Sequence, residues 1–128
     1  MKQSRIVVFG DSITWGANDS QGGWVHRLKI YLENRKDEDF AVYNCGVAGD
    51  NLTALLKRFE VENQARFWED NDEHIVIFAI GINDAQDTST KFNFGVPLEQ
   101  FKQNMNSLIT QAQKLSTRII IMGPTSID

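Results

Sequence analysis

The chain has 128 residues, enough for one domain that buries roughly two thirds of the surface its unfolded form would expose. Its hydrophobic fraction of 41% and charged fraction of 23% fit a globular protein, and a net charge of −4 spread along the sequence argues against a nucleic-acid partner. No apolar run is long enough to span a membrane, MKQSRIVVFG shows no secretory-signal design, and a lone cysteine, Cys45, excludes a disulfide framework or a cysteine metal site; a cytoplasmic protein with Cys45 in a packing role is expected.

In chain order, Arg5–Phe9 is the first predicted strand. A helical pattern follows, with Trp24, Leu28, Tyr31 and Leu32 on one face of a 3.6-residue period. Phe40–Cys45 is the second strand, and Leu52, Leu55, Leu56 and Phe59 mark a second helix with Asp50 and Asn51 as its caps. His74–Ile80 is the third strand. The non-periodic stretch Asp87–Val96 is expected as a surface loop beside the site. After Pro97, Leu98, Phe101, Met105, Leu108 and Ala112 form a third helical stripe, and Arg118–Met122 is the fourth strand. The four runs are near-continuously apolar, which indicates a parallel sheet covered on both faces. The order βαβαβαβ therefore predicts an α/β fold, a doubly wound three-layer sandwich, in a single domain over residues 1–128 with no linker.

In open α/β sheets ligands bind beyond the carboxyl ends of the strands. Here those ends are Gly10-Asp11-Ser12, Asn44-Cys45-Gly46-Val47-Ala48-Gly49-Asp50 and Gly81-Ile82-Asn83-Asp84, all expected on one edge of the sheet. An ester hydrolase needs a nucleophile on a tight turn, donors aimed at the developing oxyanion, and a base. Ser12 can be the nucleophile, because Gly10 permits a sharp exit from the strand and the next segment leaves backbone N–H groups available. Gly49 can offer a second backbone donor and the Asn83 amide a third. Gly10-Asp11-Ser12, Gly49-Asp50 and Asn83-Asp84 are each, taken alone, ordinary turn or cap chemistry. Their occurrence after three successive parallel strands is what points to a site. Such chemistry calls for no metal ion and no cofactor, and none is expected.

FGDSITWG, NCGVAGDNL and IGIND resemble the first three signature blocks of the GDSL-type esterases and lipases, the SGNH hydrolase superfamily. The motif is not the G-x-S-x-G elbow of other hydrolases, since Thr14 stands two residues after Ser12. The resemblance implies a flavodoxin-like sandwich with Ser12 as nucleophile and first oxyanion donor, and Gly49 and Asn83 as the other two. It also implies supporting roles for Asp11, ordering the nucleophile turn, and for Asp84, ordering the asparagine loop.

The family's fourth block, Asp-x-x-His, is absent, so the C-terminal part of the fold is expected to be missing and the chain to match the first two thirds of such a protein. His26 lies within the first helix pattern and His74 at the opposite end of the sheet from Ser12; both are expected to face solvent or serve structure. Asp128 has only its terminal position to suggest it as a triad acid. Strand four, left as an apolar edge, predicts self-association or a retained C-terminal fragment.

The leading function is hydrolysis of small-molecule esters, such as acetyl esters of carbohydrates, through an acyl-enzyme, with the isolated chain inactive or very weak. The rival is a catalytically incomplete ligand-binding module on the same fold. A phosphate-accepting receiver is disfavoured, because Asp11 is a single carboxylate at the end of strand one. Trp15, Trp24, Phe92 and Phe94 are read as core aromatics in preference to pocket lining.

Overall fold

The computed structural model describes residues 1–86 and 95–124. Most of the expected surface loop, with Phe92 and Phe94, and also Asp128 lie outside the described residues. The elements are β1 (Gln3–Gly10), α1 (Ser12–Trp15), α2 (Gly23–Glu33), β2 (Asp39–Gly46), α3 (Leu52–Ala65), β3 (Glu73–Ala79), α4 (Leu98–Ala112) and β4 (Arg118–Met122). The strands form a sheet in the order β2-β1-β3-β4, with every pairing parallel. This matches the first four positions of a flavodoxin-like sheet, whose order reverses beside β1 and β3. Gly10 is in register with Gly46 on one side and Ala79 on the other, so β1, β2 and β3 end at one level.

β1 and β2 reach beyond their apolar runs, because ladder pairing continues as long as a parallel neighbour is in register, whatever the side chain. Alternate residues of β1 serve two cores. Val7 and Phe9 face α3 and α4, packing with Leu52, Leu55, Phe59, Phe78 and Leu108. Phe9 and Phe59 meet edge to face at 4.9 Å between ring centroids. Ile6 and Val8 face α2, packing with Val25, Val42, Ile75 and Ile77. Complete burial of side chains of this size contributes roughly 1.5–3 kcal/mol each, which makes these two layers the main source of stability.

Two stripe positions depart from expectation. Tyr31 is 67% exposed because Val25, not Tyr31, completes the inward face of α2, and Leu98 is 65% exposed in the first turn of α4. The caps expected for α3 are confirmed in part: Asn51 is the N-cap, and its side chain accepts from the Ala54 N–H at 2.9 Å. β4 lies at the sheet edge, and Ile120, Ile121 and Met122 are 39%, 50% and 41% exposed. No described helix is long and apolar enough to cross a membrane.

Candidate active site

The chain turns sharply after β1. A Cβ on Gly10 would stand 2.1 Å from Thr14 Oγ1 and 2.6 Å from the Ala79 carbonyl, so only glycine lets the strand end pack against both. Asp11 is the N-cap of α1, and its Oδ1 accepts from the Ile13 N–H at 2.9 Å. Ser12 is the first residue of this single-turn helix and is half-buried. A helix-start N–H has no intrahelical acceptor, which leaves the Ser12 N–H available to a ligand. α1 itself was invisible in the sequence, since four residues cannot display a helical period.

The segment after β2 returns toward this turn. The Val47 N–H donates to the Gly10 carbonyl at 3.1 Å, and Asn44 Nδ2 donates to the Thr14 carbonyl at 2.8 Å. Gly49 has φ of +84°, a conformation that favours glycine. The segment after β3 closes the cluster. Asn83 Nδ2 donates to the Asp50 carbonyl at 2.8 Å, while its Oδ1 accepts from Gln86 Nε2 at 3.0 Å. These two bonds fix the plane of a side chain only 7% exposed, and one amide N–H has no acceptor among the described residues. Asp84 Oδ1 accepts from the Leu52 N–H at 2.8 Å, so this carboxylate caps α3 from 32 residues away instead of serving only its own loop.

Ser12, Gly49 and Asn83 therefore follow three adjacent strands on one edge, and direct hydrogen bonds connect their segments. Asp50, expected only as a cap, proves to be the acceptor for Asn83; no local sequence signal reveals a backbone carbonyl in that role. Asp11 and Asp84 are 2% and 4% exposed. Burial raises the Asp11 carboxyl above its ordinary value, the Ile13 N–H works against this, and the negative charge of Asp50 adds to it. Burial likewise raises Asp84, opposed by the Leu52 N–H and aided by the charge of Asp11.

The histidines stand apart from this cluster. His26 is exposed on α2. His74, 2% exposed near the start of β3, bonds Asn63 Oδ1 through Nε2 at 2.8 Å, and burial lowers its pKa. Trp15 is 60% exposed, contrary to the core role expected of it, because α1 turns that side chain away from the sheet. Trp24 packs against the α2-side core and also borders a cavity of about 160 Å³ beside the Asp11–Ser12 turn, with Ile13, Ile80, Ile82 and Met122. Among the described residues no group of three or more His, Cys, Asp or Glu could hold a metal ion.

Residues 8–128 match the GDSL-like Lipase/Acylhydrolase family. The chain belongs to that family. It is 30% identical over 135 residues to a GDSL esterase/lipase of Arabidopsis thaliana, covering all of this chain and 53% of the relative. The solved structure of AlinE4, an SGNH-hydrolase family esterase, superposes with a TM-score of 0.73 at 24% identity, covering 96% of this chain and 60% of that one. That of a catalytic mutant of Axe2, an acetylxylan esterase from Geobacillus stearothermophilus, gives 0.68 at 24% identity, covering 94% and 59%. This GDSL-family chain thus spans between half and two thirds of the length of the relatives it matches, and the structural likeness establishes the α/β fold.

Proposed function

We propose that this family member is a serine ester hydrolase acting on small acyl esters through an acyl-enzyme, with Ser12 as nucleophile. The observation that carries the reading is the cross-linked cluster at the ends of β1, β2 and β3, in which the Asn83 amide is bonded to the residue after Gly49. Ser12 Oγ attacks the ester carbonyl. The oxygen that becomes negative is received by the Ser12 N–H, the Gly49 N–H and the remaining Asn83 amide N–H, each worth about 2.7–4 kcal/mol in such a role. The alcohol leaves, an acyl-serine remains, and water releases the acid. Asp11 and Asp84 support the site by capping α1 and α3.

The proton of Ser12 needs a base, and the residues that would supply it belong to an Asp-x-x-His block that this sequence does not contain. His74 sits at the other end of the sheet, tied to Asn63. The chain alone should then retain about 10³–10⁴-fold over water from the donors and binding. The small, mainly apolar cavity beside the nucleophile turn supports a short acyl group. The likeness to an acetylxylan esterase makes acetyl esters of carbohydrates the first class to try.

The test is hydrolysis of p-nitrophenyl acetate by the chain and by Ser12→Ala, with and without added imidazole as a substitute base. A Ser12-dependent rate that grows with imidazole supports the reading. Equal rates without imidazole follow from the missing base; equal rates that persist with imidazole present refute the reading and favour the ligand-binding module.

A further inference from the structure

We infer that Arg58, on α3, is a positioning residue that sets the nucleophile turn and the Gly49 loop relative to one another. The inference rests on the reading of Ser12, Gly49 and Asn83 given above.

Arg58 Nε and Nη2 each lie 2.8 Å from Asp50 Oδ2. Nη2 also donates to the Gly10 carbonyl at 3.3 Å, and Nη1 donates to Glu62 Oε2 at 3.0 Å. The side chain is 18% exposed, and its Cζ stands 5.9 Å over the Phe9 ring. An ordinary ion pair along a helix would account for the bond to Glu62, four residues on. It would not account for the others.

Gly10 lies two residues before Ser12, and Asp50 directly follows Gly49. The same Asp50 receives the Asn83 amide on its backbone carbonyl at 2.8 Å. One guanidinium therefore touches the first two segments directly and reaches the third through a single residue. A planar fork can hold a carboxylate and a carbonyl in fixed relative orientation, whereas a lysine ammonium is a point charge on a flexible stem. Misplacing a reacting group by about 1 Å can cost about a hundredfold in rate, so a residue that sets this spacing governs the chemistry without touching substrate.

The test uses the ¹⁵N-labelled 128-residue chain with Arg58→Lys, Asp50→Asn and Glu62→Gln. Nuclear magnetic resonance reads the backbone amides of Ser12 and Gly49 and the side-chain amide of Asn83, and hydrogen exchange reads the Asp50 and Leu52 amides. Arg58→Lys and Asp50→Asn are each expected to shift the first group together and to speed exchange of the second about tenfold, the factor expected for loss of a hydrogen bond between charged partners. Val7 and Val76, in the sheet, keep their protection, and Glu62→Gln leaves the site signals in place. With imidazole supplied as the base, labelling of Ser12 by an aryl fluorophosphonate is expected to slow in the first two variants alone.

Lower thermal stability in Arg58→Lys, with unmoved site signals and unchanged Ser12 labelling, overturns the positioning role. Site signals that respond as expected, in a wild-type chain whose Ser12 is not labelled even with imidazole supplied as the base, instead overturn the esterase reading and leave the positioning of the three segments standing.

Discussion

Asp11 combines two effects of opposite sign, and substitution can separate them. Its Oδ1 caps α1 by accepting from the Ile13 N–H at 2.9 Å, a contact whose loss on replacement by alanine typically costs about 1 kcal/mol. Its charge is unfavourable, because the side chain is 2% exposed and burial raises the carboxyl above its ordinary value of 3.8. A carboxyl raised in the folded state adds stability that is fully present below its unfolded value and is lost as pH rises through the folded value. At pH 7, well above the unfolded value, the wild type therefore carries a cost for the buried carboxyl. Asp11→Asn keeps the capping oxygen and discards the charge, so it should match or exceed wild-type stability at pH 7. Asp11→Ala discards the charge and the cap together, so it should fall about 1 kcal/mol below Asp11→Asn, or about 4 °C in Tm for a domain of this size.

Urea unfolding followed by circular dichroism from pH 3 to pH 7 reads both effects, and subtracting variant from wild type cancels the other carboxylates. The Asn advantage should vanish near pH 3, where the aspartic acid is itself neutral. A wild-type-minus-Asn difference that is flat across this range refutes the argument, as does an Asn variant that loses as much as Ala at pH 7.

His74 provides the opposite sign: burial lowers its pKa below 6.5, so the unfolded chain takes up the proton first and stability falls as pH drops through that value. His74→Leu should flatten this slope while leaving Asn63 Oδ1 unpaired, at a cost of about 1–3 kcal/mol at pH 8, and a slope that survives the substitution contradicts the assignment. Cys45 is 5% exposed with its thiol pushed up to about 12, so a maleimide at pH 8 should modify it only at the rate of unfolding. Fast native-state labelling would count against its burial. The exposed apolar edge strand should drive self-association, and Ile121→Lys should shift sedimentation toward monomer; identical sedimentation of both chains would rule out β4 as the contact.

What the sequence revealed and what it hid divide along physical lines. The strands were legible because both their faces are covered, so Val7 and Val8 are equally apolar although they enter different cores. α3 and α4 were legible because a helix with one buried face repeats its apolar residues, and Asn51 because capping is local. Tyr31 misled because a side chain at the margin of such a stripe packs or not according to its neighbours, and Trp15 because it belongs to a helix too short to announce itself. The site residues were legible only as a set, through their shared position after strands. Arg58 and Asp50 were not, because Arg58 meets Gly10 across 48 residues and Asn83 meets Asp50 across 33.

Stability alone does not explain three carboxylates, Asp11, Asp50 and Asp84, each at most 8% exposed at the end of the sheet. Asparagine caps a helix as well as aspartate does, and two of these groups are held against the unfavourable direction of their own burial. What a carboxylate adds is strength: a hydrogen bond to an ionised acceptor is roughly twice as strong as a neutral one, and it is stiffer. The bonds concerned are Ile13 N–H to Asp11, Leu52 N–H to Asp84 and the Arg58 fork to Asp50. Each anchors the start of a helix or the loop from which one of the three proposed oxyanion donors projects. Donors that are already aimed need no reorganisation when charge develops, which is the condition under which such a site gives its full effect. On this account folding free energy is given up at the strand ends for rigidity. The stability regained by Asp11→Asn should then be accompanied by slower reaction at Ser12.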